Sequence, residues 1–190
     1  MTSFKTYLAL VLAPAALGVV TLPGCATAPQ SQEAKQNLSE ESHSTFDEMN
    51  RADPSLDGFI KSGYAYAVFP SIGKGGIGIA AGFGRGEVYE QNKFIGYTDV
   101  SVGTVGATLG GETFSELLVF QDKTALDNFT NNKLQFDASA TAVGLKSGAA
   151  ATAKFDKGVA VFTHAHGGLM VDASVGGQQF TFRSAETENE

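Results

Sequence analysis

A few residues in this chain have the types and spacing for chemistry. His164 and His166 flank a single alanine, so on a strand both imidazoles point to one face. Asp172 lies a hairpin away. Two histidines and a carboxylate are ligands enough for a metal ion with an open position. Two solvated histidines in a turn account for the same residues, and no metal centre is expected. Gly73-Lys74-Gly75-Gly76-Ile77-Gly78 fits the G-x-G-x-x-G spacing that lets backbone approach a pyrophosphate, but such a site needs a helix next. Here Ile79, Ala80 and Ala81 lead to Gly82 and Phe83, which favours a second strand, and no cofactor is expected. Lys74 and Arg85 are the basic residues of Gly73 to Gly86, a stretch with seven glycines in fourteen residues. Cationic side chains beside approachable backbone amides suit an anion or a lipid headgroup. Lys74 and Arg85 are therefore the candidate lipid- or anion-binding residues. No Gly-x-Ser-x-Gly elbow occurs to present a nucleophile. The pairs Glu112 with Glu116, and Glu87 with Glu90, offer carboxylates for acid–base work but read as solvated surface acids. No catalytic residue is expected, and the chain reads as a non-enzymatic protein.

Something must hold those residues. The chain has 190 residues, 43% of them hydrophobic and 17% charged, enough apolar material for one folded domain. The net charge of −7 argues against nucleic acid, whose partners carry clustered Lys and Arg. One cysteine, Cys25, excludes an internal disulfide.

Lys5 precedes an uncharged run from Tyr7 to Leu22, which closes on Leu22-Pro23-Gly24-Cys25. A basic start, a short apolar run and small residues form a secretory signal. The Leu-x-Gly-Cys ending resembles the bacterial lipobox. That resemblance implies residues 1–24 as a lipoprotein signal peptide, cleavage before Cys25, and acyl chains, palmitate among them, carried by that cysteine. Residues 25–32 then form a lipidated tether, which holds the protein to a membrane because several chains bind where one is marginal. Ala26 is not the Asp that retains many lipoproteins at the inner membrane. The implied location is the cell envelope, lipid-anchored to the outer membrane on its periplasmic face.

Glu33 to Met49 lacks Gly and Pro and predicts a helix with a narrow apolar stripe of Ala34, Leu38, Phe46 and Met49. Asp53-Pro54 predicts the start of a short helix reaching about Lys61, stopped by Gly63. Tyr64 to Phe69 alternates large and small residues, as a strand does, and Pro70 should end it. Gln91-Asn92 is a hairpin turn between Tyr89-Glu90 and Lys93-Phe94. Val100 to Gly111 alternates again, and Phe114 to Phe120 suits a central strand. Asp122 predicts a capped helix to about Asn131. Asp137 to Ala153 fits strand and helix equally. Gly158 to Thr163 and Gly168 to Val175 predict strands joined by Ala165 to Gly167, and Gln178 to Phe182 a last one. Ser184 to Glu190 is a charged tail, expected to be disordered. The fold class is α+β: two N-terminal helices and one internal helix packed on a strongly curved, glycine-rich, barrel-like antiparallel sheet.

The order of segments is similar to a known family. Tyr66-Ala67-Val68-Phe69-Pro70-Ser71-Ile72-Gly73-Lys74-Gly75-Gly76 resembles the opening of the SYLF domain, and Gly84-Arg85-Gly86 with Val88 its Gly-Arg-Gly segment. Gly103 to Gly111, Glu112 and Phe114 to Phe120 resemble its glycine-rich strand followed by an apolar one. Lys123-Thr124-Ala125-Leu126-Asp127-Asn128-Phe129 resembles the helix after it. Lys157-Gly158-Val159-Ala160 and Gly167-Gly168-Leu169 resemble the closing strands. The likeness runs from about Ala52 to Phe182, within a SYLF-like domain at 33–183 that precedes the tail at 184–190. It implies a lipid-binding, non-enzymatic domain whose eukaryotic members bind phosphoinositides and in some cases actin. Those members use a basic amphipathic N-terminal segment. Here Ser31 to Gly63 carries seven acids against Lys35, Arg51 and Lys61, a net −4 that repels anionic lipid. Neither phosphoinositide nor actin is an expected partner. The expected function is that of a bacterial envelope lipoprotein whose domain contacts a lipid headgroup or an apolar ligand. The alternative is a structural or interaction module of the outer membrane that docks a protein on its sheet.

Overall fold

The computed structural model describes residue 29 and residues 31–132, 135–136 and 142–185. The expected signal peptide, Cys25 and most of the tether lie outside the described residues, as does the end of the tail.

Helix α1 spans Gln32–Ala52. Ser31 caps it by accepting from the Ala34 amide at 3.1 Å, satisfying one of the orphan donors of the first turn. Leu38, Ser42, Thr45 and Met49 form its buried stripe, at the three- and four-residue steps that keep one face inward. Helix α2, Leu56–Ser62, buries Leu56 and Ile60. Asp53 joins the two. It accepts from the Ser55 amide and hydroxyl, at 3.0 and 2.6 Å, and from the distant Gly148 and Ala150 amides at 3.0 and 2.7 Å. Its burial pushes the carboxyl pKa up, yet these hydrogen bonds outweigh that and hold it at about 2. Asp53 is thus a latch to a remote loop and the C-cap of α1, while α2 begins two residues beyond Pro54 with Ser55 as its N-cap, not at the expected Asp53-Pro54.

The body is built from β1 (Ala65–Glu90), β2 (Lys93–Phe120) and β5 (Val159–Ser184), with the short strands β3 (Gln135–Phe136) and β4 (Ala142–Gly144). β1 and β2 meet at Gln91 and Asn92, whose φ values of 49° and 64° are those of a type I′ hairpin. β2 pairs antiparallel along its length with β1 on one side and β5 on the other.

β1 doubles back on itself at Gly78, which takes φ 71°. The Gln91 amide donates to the Tyr64 carbonyl at 3.2 Å, and the two arms stay close from there to the fold. A Cβ on Gly84 would sit 2.8 Å from the Ser71 carbonyl oxygen, and one on Gly86 only 2.3 Å from that of Val68. The close approach admits no side chain at these positions.

Helix α3, Lys123–Thr130, fills the inner face of the doubled sheet. Asp122 caps it by accepting from the Ala125 amide at 2.9 Å. Phe129 lies 4.9 Å from the ring of Phe120 and 5.5 Å from that of Phe180, in a core with Phe69, Val88, Val100 and Leu118. The outer face buries Val68, Leu117, Val119, Ala160 and Phe162 with Met49 of α1, Leu56 and Ile60 of α2, and Ala150 of the one-turn helix α4 (Ala149–Thr152).

Two expectations are corrected here. The sheet is neither barrel-like nor wholly antiparallel. Its order is β1-β2-β5-β3, an open path, and β4 pairs parallel with β5 over Val161 to Thr163. The wedge of Phe129 between the Phe120 and Phe180 arms supplies a physical reason: the hollow is filled by a helix instead of being drawn shut. The segments read as separate strands are also arms of longer ones. β5 runs unbroken through Ala165 to Gly167, and β1 passes Pro70 through a register shift between Phe69 and Ile72. A bulge is the place where a strand tolerates a residue with no amide hydrogen. Of Asp137 to Ala153, residues 137–141 lie outside the described residues.

A paired substitution tests the doubling of β1. Gly86→Ala should cost roughly 2 kcal/mol or more. Gly73→Ala, where a Cβ meets nothing within 4 Å, should change stability by less than about 0.5 kcal/mol. Urea unfolding followed by circular dichroism reads both.

Candidate functional site

The inner face is apolar near α3 and turns polar toward the fold of the strands. There a cavity of about 200 Å³ opens, lined among others by Val102, Thr104, Phe114, Glu116, Thr163 and Gln178, with Lys74 and Glu112 also on its wall. Strand alternation puts Phe114, Glu116, Leu118 and Phe120 on one side of β2. The last two enter the core, and Phe114 and Glu116 face the cavity. β5 contributes Thr163, Ala165 and Gln178 from its two arms.

Glu116 is 1% exposed. Its Oε2 accepts from Gln178 Nε2 at 2.7 Å. Burial raises its pKa to about 7, with the Gln178 hydrogen bond pulling the other way. Glu116 Oε1, Gln178 Oε1 and Thr104 Oγ1 are buried and meet no hydrogen-bond partner among the described residues. Three such atoms on one cavity wall are a strong arrangement, because an unsatisfied buried polar group costs about 1–3 kcal/mol. With Glu116 protonated, the cavity offers donors at Glu116 and Thr104 and an acceptor at Gln178. That set suits an uncharged polar group such as a hydroxyl or an ester. The volume falls below the roughly 300–1,000 Å³ of pockets that enclose drug-sized ligands. It fits a small molecule, or the polar end of a larger one.

Lys74 and Arg85 stand in different recesses. Lys74 lines the cavity, half-buried and opposite Glu112 in the ladder. Arg85 lines a groove between β1 and the start of α1, with Pro29, Leu38, Ser71 and Phe83. Its Nε is 3.9 Å from Asp99 Oδ1, and its guanidinium lies 5.8 Å from the Phe83 ring centroid. Asp99 is buried, and desolvation raises its pKa to about 6 against the pull of Arg85 and Arg183.

His164 and His166 occupy the outer face, on a continuous strand, with ring centroids 5.7 Å apart. His164 Nε2 is 3.4 Å from Glu48 Oε1 of α1. His166 Nε2 shares a hydrogen bond with Ser115 Oγ, and Ser115 donates to the Pro70 carbonyl at 2.7 Å. Since the serine hydrogen goes to Pro70, the imidazole must donate, which is the reverse of a base activating a nucleophile. Asp172 pairs with Thr108, six residues along β5 from His166 and so roughly 20 Å away by strand rise. No group of three metal-ligating side chains occurs among the described residues.

Two acids read as solvated are buried: Glu116, and Glu87 at 2% exposure. Burial raises the Glu87 pKa, countered by hydrogen bonding from Tyr89, whose hydroxyl donates to it at 2.6 Å, by the charge of His43 and by Ser42. The signal for Glu116 was its setting, a lone acid inside the apolar run Phe114 to Phe120.

A bent sheet wrapped on a helix leaves a recess with buried polar atoms that lack partners among the described residues. Residues 101–189 match the family Ysc84, the Las17-binding protein actin regulators. That match is in keeping with the likeness to the SYLF domain seen in the sequence motifs. The chain is also similar to Beta cell expansion factor A of Aeromonas veronii, with 26% identity over 136 residues, 71% of this chain and 52% of the relative. The chain thus spans about half the length of that curated relative.

The cavity floor has a pH signature. Folding raises the Glu116 pKa from 4.5 to about 7. The folded state therefore binds the extra proton between those values and loses stability as pH rises through them, by about 3 kcal/mol in all. Glu116→Gln keeps an acceptor for Gln178 and removes the titration. The variant should gain about 3 kcal/mol on wild type between pH 4.5 and pH 8, measured by urea unfolding at both values. A constant difference would show that Glu116 titrates normally.

Proposed function

We propose that this protein is a non-enzymatic bacterial envelope lipoprotein, anchored through Cys25, whose Ysc84-type domain holds the uncharged polar part of a small lipid-derived ligand. The carrying observation is the trio of buried atoms with no partner among the described residues, Glu116 Oε1, Gln178 Oε1 and Thr104 Oγ1, on the wall of one cavity. Val102, Phe114 and Ala165 on the same wall suit the apolar remainder of such a molecule. Lys74, also on that wall, is suited to an anionic group beyond it, and Arg85 to one in the neighbouring groove. The acidic net charge of the chain supports a ligand taken up by fit, since long-range attraction of an anion is disfavoured.

The Leu-x-Gly-Cys ending and Ala26 support anchoring to the outer membrane, with the domain on the periplasmic side. Actin regulation is in the name of the matched family. For this chain we favour lipid as the partner, because an envelope location leaves actin out of reach.

The test is native mass spectrometry of the full chain extracted in detergent from its own membranes. The expected spectrum shows a mass beyond protein and Cys25 acyl chains. That mass should be absent from a Thr104→Val, Gln178→Leu protein that keeps its circular dichroism. Wild type without any such adduct would sink the cavity reading. Cys25→Ser should move the protein out of the membrane fraction after a high-salt wash, and retention there with a cleaved N-terminus would sink the anchor.

A further inference from the structure

Ile77 is 80% exposed, Ile79 66%, Val105 64% and Leu109 59%. These four are not scattered. Ile77 pairs with Leu109 and Ile79 with Val105, either side of the fold at Gly78 where β1 and β2 both bend. Large apolar side chains gathered on a protruding bend mark an interaction site, and this one lies outside the cavity. Its surroundings carry no charge on β1 from Gly75 to Gly84 or on β2 from Val100 to Gly111. A protein interface would draw specificity from a polar rim. A bilayer asks only for apolar area without charge.

The start of the described chain bounds how far an anchoring membrane can lie. Pro29 lines the groove that contains Phe83 and Arg85. Pro29 is four residue steps from Cys25, a reach of at most about 14 Å. Phe83 is four strand steps from Ile79, roughly 13 Å. An anchor at Cys25 and the apolar bend are therefore close enough to meet one membrane surface.

We propose that the bend of β1 and β2 carrying Ile77, Ile79, Val105 and Leu109 dips into the hydrocarbon edge of a lipid bilayer, as a second contact beside the lipidated N-terminus. The position of the membrane rests on the Cys25 anchor proposed above. The contact is shallow. Apolar segments of this size without a spanning element sit at interfacial depth, about 5–10 Å into the headgroup and acyl boundary. Because the contact is apolar, it needs no anionic lipid and persists at high salt.

The chain has no tryptophan, so a single introduced indole reports alone. The full-length protein is made as Ile79→Trp, as Val105→Trp, and as Lys93→Trp, the last beside the hairpin turn at the other end of β1 and β2. Each is reconstituted into vesicles of phosphatidylcholine with brominated acyl chains, at low and high salt. The proposal expects the first two to be quenched roughly twofold or more, as indoles at interfacial depth are, at either salt, and the Lys93→Trp protein to be unaffected. Two bend reporters keep the test alive if one variant fails to fold. Protein that pellets with vesicles while both bend indoles stay unquenched overturns the proposal and leaves the anchor standing. Protein that does not pellet overturns both. Emission that shifts to the blue with protein concentration, without vesicles, assigns the bend to a second copy of the chain and also overturns it.

Discussion

The closeness of the two arms of β1 is the constraint on which the rest depends. With Gly86 against the Val68 carbonyl and Gly84 against that of Ser71, backbone meets backbone without an intervening side chain. β2 and β5 must follow the same path, because each is hydrogen-bonded to its neighbour along nearly its whole length. One tight fold in the first strand is thereby copied into the next two. The hollow so formed is wide enough for α3 and, beyond it, for a cavity. Glycine in a strand is entropically costly. Here it is the only residue small enough to let one strand set the curvature of three.

The buried carboxyls show how differently one interior can treat the same group. Asp53 is fully buried but surrounded by amides and a hydroxyl that favour its charge, and it ties the α1–α2 junction to the turn before α4. Glu116 is as deeply buried with one donor among the described residues, and burial holds its pKa up at about 7. The first arrangement stabilises a fold. The second leaves capacity unspent on a wall that faces open volume, and polar capacity of that kind is what a ligand uses. Helices α1, α2 and α4 brace the outer face and leave the inner one to α3 and the cavity.

The parts legible in the sequence were those decided within a few residues. Gln91-Asn92 turns because two left-handed residues fit a type I′ hairpin, and Asp122 caps because its side chain reaches an amide three residues on. The connectivity of the sheet was not legible. Alternation reports a strand and is blind to whether two alternating stretches are separate strands or arms of one. Pro70 looked like a terminus because the bulge that tolerates it depends on register with β2. Glu116 was read with Glu112 as a surface pair, although a lone acid amid Phe, Leu and Val already implied burial. Lys74 and Arg85 looked like one site because both interrupt the same glycine-rich stretch. They part company because the fold at Gly78 puts them on different arms of β1.

The ladder also dictates how such a chain must assemble. The turn at Gln91 and Asn92 closes Glu90 on Lys93 first, and pairing can spread outward from there with little loop entropy at each step. β5 joins last, since Gly96 must find Ser184 and Phe120 must find Val159 across a long intervening segment, and such non-local pairing is slow. Until it arrives, β2 presents an unpaired edge many residues long, of the sort that templates aggregation. A nascent or truncated chain ending before Val159 would keep that edge open, so β5 is the strand that protects β2.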